Sequence, residues 1–181
     1  MTGLIVLTNG FEDVEAIATI DVLRRSGIRI DTTSLDNKEI ITQSNNTITV
    51  DYLLHELNLE DYTFLILPGG KAVFNILDKD KRIDNLIDNF YNNNKLICAI
   101  CAAPRLIAKR GYFKNLNFTI FPGCLDGEVL GNILNNGVVV EEKFITAKSM
   151  YYSIEFALEI INKLQGNEQR KIIEDQIKGI K

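Results

Sequence analysis

The sequence predicts an α/β fold, a three-layer sandwich of helices on both sides of a mainly parallel sheet. Three observations point there. Short apolar runs of strand length recur along the chain: "LIVLT" at 4–8, "FLIL" at 64–67 and "KLICAI" at 95–100. Such runs, bounded by Gly, Pro or Asn, read as buried strands. Segments with helical apolar spacing separate them, as at Ile83, Leu86, Ile87 and Phe90. Strands that alternate with helices form βαβ units, and these build parallel sheets.

The elements follow in order. After "LIVLT" comes Asn9-Gly10, then a helix over "EDVEAIATIDVLRRSG". Glu12, Asp13 and Glu15 crowd its positive end, Arg24 and Arg25 its negative end, and Gly27 stands where a C′ glycine belongs. "IRIDTTSL" alternates like a strand. "EIITQSNNTITVDYLL" suggests a hairpin with Ser44-Asn45-Asn46 at its turn. "YTFLILPGG" is a buried strand closed by Pro68, Gly69 and Gly70. An amphipathic helix covers 80–92, and "KLICAI" leads into a short helix at 102–109 stopped by Gly111. "NFTIF", "GVVVEE" and "KFITA" are further strand candidates. Ile154, Ala157, Leu158 and Ile161 mark a strong helix, and a last one follows Gly166.

The chain of 181 residues shows no repeat, linker or low-complexity tract, so one domain over 1–181 is expected. Its net charge of −4 argues against nucleic acid or an anionic membrane as partner. "MTGLIVLTNGFEDVE" lacks the basic start and long apolar core of a signal peptide, and no apolar run nears the roughly 18 residues of a transmembrane helix. Three cysteines do not make a disulfide framework. A cytoplasmic protein with reduced thiols is expected.

In open α/β sheets, ligands bind outside the carboxyl ends of the strands. Three such ends carry unusual loops: "NGFEDVE", "PGGKA" and "CAAP". The third is the most informative. A nucleophile elbow needs small residues two before and two after the nucleophile. Ala99 and Ala103 flank Cys101 in that way, and Pro104 suits a helix's first turn. At a helix N-terminus the sulfur is expected to favour thiolate. A buried structural cysteine is the competing reading.

Cys98 and Cys101 form C-x-x-C, the spacing of a redox pair. Across an extended strand, however, three residues span about 10 Å. A disulfide needs Cα atoms within roughly 7 Å. Cys98 is therefore expected in the core. His55 and Cys124 lack zinc-ligand spacing, so no metal is expected, and Cys124 reads as a bystander or a resolving thiol.

Glu15 lies one turn into the first helix and can face the crevice. Beside a thiolate its carboxyl would keep its proton, donate to sulfur and serve as an acid/base. Glu12 and Asp13 read as solvated first-turn acids. "LPGGKA" has neither phosphate-loop nor dinucleotide spacing, so no cofactor is expected. Gly70 and Ala102 can instead present N–H groups as an oxyanion hole.

"GFEDVEAI…DVLRRSGI", "LPGG", "AICAAP" and "SIEFALEII" together resemble the DJ-1/PfpI (ThiJ) family, most closely its small DJ-1-like branch. The resemblance runs from about residue 3 to about 166. It implies a flavodoxin-like sandwich, usually a homodimer. It implies a reactive cysteine matching Cys101, a glutamate bonded to it matching Glu15, and oxyanion amides matching Gly70 and Ala102. Family activities include glyoxalase, deglycase, peptidase, redox-regulated chaperone and peroxide sensing. Many members carry a histidine near the cysteine where this chain has Phe121, and His55 is the sole histidine. A Cys-His peptidase or glutaminase mechanism needs an imidazole near the thiol, so both readings lose support.

The leading expectation is an enzyme for small reactive carbonyls, 2-oxoaldehydes or their early adducts. The alternative is non-enzymatic, a redox sensor or chaperone acting through oxidation of Cys101. Arg24 and Arg25 read as dipole-complementing surface residues. Asp21 interrupts the apolar face of their helix, where part could meet a partner chain.

Overall fold

A computed structural model describes residues 1–127 and 129–180. In chain order the elements are β1 (Thr2–Val6), α1 (Asp13–Arg25), β2 (Arg29–Ser34), β3 (Glu39–Ile41), β4 (Thr47–Thr49), β5 (Tyr52–Leu53), β6 (Phe64–Leu67) and α2 (Ala72–Asn75). Then come α3 (Lys81–Asn92), β7 (Leu96–Ile100), α4 (Pro104–Ala108), β8 (Asn117–Phe118) and β9 (Asn132–Ile133). β10 (Val138–Val140), β11 (Phe144–Ala147), α5 (Ser153–Gln165) and α6 (Asn167–Lys178) complete the chain.

The main sheet has the order β10-β11-β7-β6-β1-β2-β5. Every pairing in it is parallel except β10 with β11. The apolar runs fill its centre: β6 and β7 are buried at every position, as strands covered on both faces must be. Alternation then sorts their side chains between two cores. Ile5, Ile66, Cys98, Ile100 and Ile145 point toward α1 and α5. Leu4, Leu65, Ile97, Ala99 and Phe144 point toward α3 and α4. This is the flavodoxin-like sandwich that the resemblance implies.

The expected helices form where their patterns place them. The Glu12 side chain caps α1 by accepting from the Glu15 N–H at 2.8 Å. Asp13 is less solvated than its first-turn reading suggested. It accepts from Ser44 N–H at 3.2 Å and Asn46 Nδ2 at 2.8 Å, and so pins the β3–β4 turn to the start of α1. Arg24 reaches across to the Ile30 carbonyl at 2.9 Å, and Arg25 pairs with Asp21 at 2.8 Å.

Two strand expectations need correction. The end of "EIITQSNNTITVDYLL" leaves its hairpin, and β5 joins the main sheet edge beside β2. "NFTIF" supplies only two strand residues, which pair in parallel with β9 rather than with the main sheet. Apolar alternation could not separate these outcomes, because each two-residue strand is specified by its partner and not by its own pattern. Among the described residues no helix is long and apolar enough to cross a membrane.

Candidate active site

β1, β6 and β7 are adjacent strands, so the loops that follow them meet at one end of the sheet. Cys101 begins the turn after β7 with φ 62°, in the left-handed region that a non-glycine residue seldom adopts. Its N–H donates to the Ala147 carbonyl at 2.8 Å, and its carbonyl accepts from the Phe121 N–H at 2.9 Å. These two bonds hold the strained turn from both sides. The small residues beside it are needed: Ala99, Ala102 and Ala103 are all buried.

Glu15 is completely buried. Its Oε2 accepts from the Gly69 N–H at 2.7 Å, while its Oε1 finds no protein donor among the described residues. The Cys101 thiol neighbours this carboxyl and favours its charged form, as a donor would. Burial outweighs that help and pushes Glu15 from an ordinary 4.5 up to about 7.

Burial also raises the Cys101 thiol, and an ionised Glu15 raises it further. The Ala102 N–H opposes this without overcoming it. The expected thiolate preference is therefore corrected. α4 is only five residues long and presents a weak dipole, whereas the sulfur is partly enclosed beside an acid. The crevice favours one negative charge shared by the pair, not two. When Glu15 holds the proton its repulsion disappears, while burial still raises the thiol.

Gly70 takes φ 91° and crosses close to the first loop. A Cβ there would lie 2.6 Å from both Glu12 N and Gly10 O. Only glycine fits this approach. Neither the Gly70 N–H nor the Ala102 N–H donates to another backbone or side-chain oxygen among the described residues. Both residues, with Cys101, Glu15, Phe121 and Cys124, line a pocket of about 340 Å³. The structure thus brings together all four residues expected at the site.

Cys98 is fully buried in the core under α1 and α5, as expected, and all three cysteines are free. His55 follows the edge strand β5, outside this pocket. Phe121 stands 45% exposed at the pocket wall, so an apolar ring takes the place where an imidazole was sought. Among the described residues no cluster of three or more His, Cys, Asp or Glu side chains could hold a metal.

Sequence reasoning missed two residues. Gly69 carries the amide that holds Glu15, and its role hid behind that of Gly70. Arg105 is 5% exposed and donates to Asp78 at 3.1 Å, Asp126 at 2.6 Å and the Cys124 carbonyl at 3.1 Å. It fastens the loop bearing Cys124 to α4. An arginine within an otherwise apolar turn was the available signal, since buried charges need partners.

The DJ-1/PfpI family model matches residues 1–163. A Methanocaldococcus jannaschii protein of uncharacterised function is 30% identical over 170 residues, covering 92% of this chain and 83% of its own. A protein named a deglycase from Pyrococcus abyssi is 25% identical over 150 residues, covering 82% of this chain and 90% of its own. The crystal structure of Drosophila melanogaster DJ-1beta superposes with a TM-score of 0.89 at 27% identity, covering 99% of this chain and 98% of that one.

Proposed function

The chain belongs to the DJ-1/PfpI family, and from that premise we propose a cysteine-dependent enzyme of the glyoxalase or deglycase type. Its substrates are 2-oxoaldehydes such as methylglyoxal, or their early adducts on amines and thiols. One observation carries the reading: a buried acid, with one oxygen unpartnered, beside a strained cysteine and two amides that donate to no protein oxygen among the described residues. The relative named a deglycase supports the substrate class.

The chemistry needs no second base. Glu15 takes the thiol proton as the Cys101 sulfur attacks the aldehyde carbon. The resulting oxyanion accepts from the Gly70 and Ala102 N–H groups. Glu15 hands its proton to that oxyanion, then removes the hydrogen from the same carbon and returns it to the adjacent one while the hydroxyl proton passes to the former ketone oxygen, which leaves a thioester of the 2-hydroxy acid. Water cleaves the thioester, restores the thiol and releases lactate when methylglyoxal is the substrate. The sum is methylglyoxal plus water giving lactate. A pKa near 7 suits a group that must accept and donate in one turnover.

An apolar pocket wall and no nearby imidazole argue against peptidase or glutaminase work. We read the protein as cytoplasmic on its free thiols, and as a homodimer on its family and on Val14 and Ile17, 45% and 46% exposed on α1. The decisive test is lactate formation from methylglyoxal by wild type and by Cys101→Ser. We expect a loss of roughly 10³-fold or more in the variant, the scale seen when a nucleophile is removed. Full activity in Cys101→Ser would sink the proposal.

A further inference from the structure

We propose that Cys124 is a resolving thiol for Cys101, so that one equivalent of a peroxide converts the two into an intramolecular disulfide. This inference rests on reading Cys101 as the reactive sulfur, and otherwise goes beyond the carbonyl chemistry.

Of the three cysteines, only Cys101 and Cys124 are partly exposed, and both line the same pocket. Cys98 is fully buried in the core under α1 and α5 and lines no part of this pocket. Backbone bonds join the two candidates by a short path. The Phe121 N–H donates to the Cys101 carbonyl at 2.9 Å, and the Cys124 N–H donates to the Phe121 carbonyl at 3.2 Å. Cys124 is therefore a single tight turn away from the backbone of Cys101.

Arg105 adds an independent observation. Its guanidinium, itself buried, donates to the Cys124 carbonyl at 3.1 Å. It belongs to α4, the helix that opens just after Cys101. One cation thus ties the backbone of the second cysteine to the helix that follows the first. The same charge favours a Cys124 thiolate, although burial still raises that thiol overall. Gly123 beside it faces open space, and the disulfide requires the two Cα atoms within roughly 7 Å.

The steps balance. Cys101 sulfur attacks one peroxide oxygen, the O–O bond breaks, and the departing oxygen takes the proton shed by the thiol and leaves as water. Cys101 is now a sulfenic acid. The Cys124 sulfur attacks it, the S–O bond breaks, and the hydroxide leaves as water with the Cys124 proton. Two thiols have lost two hydrogens, and hydrogen peroxide has become two waters. The disulfide shields Cys101 from sulfinic acid, and a thiol reductant reopens the pocket.

The test is treatment of the folded protein with one equivalent of hydrogen peroxide, alkylation, and non-reducing peptide mapping by mass spectrometry. We expect a Cys101–Cys124 cross-link lacking two hydrogens in wild type, and the same cross-link in Cys98→Ser. In Cys124→Ser we expect Cys101 to gain oxygen atoms instead. Oxygen gain at Cys101 in wild type without the cross-link would overturn the inference, as would a cross-link to Cys98. Lactate formation, measured on the same wild-type sample before peroxide and after reduction, keeps the two readings apart. A cross-link without turnover removes only the carbonyl reading; turnover without a cross-link removes only this one.

Discussion

Glu15 and Asp31 are both acids buried against the same sheet, one at each end. Glu15 follows β1 at the carboxyl end, while Asp31 lies near the start of β2. Their surroundings differ in kind. Asp31 accepts two bonds from Arg29, at 2.9 and 3.1 Å, and one from the Tyr62 hydroxyl at 3.2 Å. Burial, with the Asp31 charge beside it, pushes Tyr62 up to about 12, so its phenol remains a donor at neutral pH. Glu15 has one amide on one oxygen, no cation, and a sulfur for a neighbour. One end satisfies its buried charge. The other keeps its charge costly, which is how a carboxyl acquires a pKa useful for proton transfer.

The geometry behind this contrast is tested by Gly69→Ala. The new Cβ would lie 2.7 Å from Glu15 Oε2 and 2.8 Å from Cys101 Cβ. Displacing either group by an ångström is worth about 10²-fold in turnover, and overpacking costs about 1–3 kcal/mol. Lactate production and chemical denaturation would measure both. Unchanged turnover would show that the carboxyl end is not geometrically demanding.

Glu15→Gln separates activity from stability. Turnover of methylglyoxal should fall about 10²–10⁴-fold, as expected for a lost acid/base. Stability should move the other way. A carboxyl whose folded pKa is raised holds more protons folded than unfolded between about 4.5 and about 7. Wild type therefore loses stability as pH rises through that window, by about 3 kcal/mol in total, and regains it on acidification. In Glu15→Gln this contribution to the slope should vanish, as read by urea midpoints from pH 4.5 to 8. An unchanged slope would mean that Glu15 is ionised in the folded protein throughout.

Asp31→Asn is the smallest and the control. It removes an ion pair whose arginine side chain is 64% exposed, and weakens one buried phenol bond. A stability loss of about 1 kcal/mol and unchanged lactate turnover are expected. A large loss of turnover would dissolve the distinction between the two ends.

Much of the molecule was legible in the chain. The period of apolar residues exposed α3 and α5, and charges with a C′ glycine marked α1, because one-sided burial and helix ends leave signals that need no partner to be read. Cys101, too, was visible as an elbow, since a tight strand-to-helix turn excludes large residues on either side of the residue at its tip. β5, β8 and β9 were not legible, because two-residue strands carry no period.

The sequence by itself determined the layers, the order of the loops and the identities of the cysteine, the acid and the two small residues at their tips. Their protonation was decided only by tertiary structure. Helix position alone argued for a thiolate at Cys101, but charge preference depends on solvent and on every nearby group. Folding removed the water, set Glu15 beside the sulfur and gave that acid a single amide. The same closure brought the Arg105 guanidinium to the carbonyl of Cys124 in the pocket wall, a contact that no spacing in the chain records.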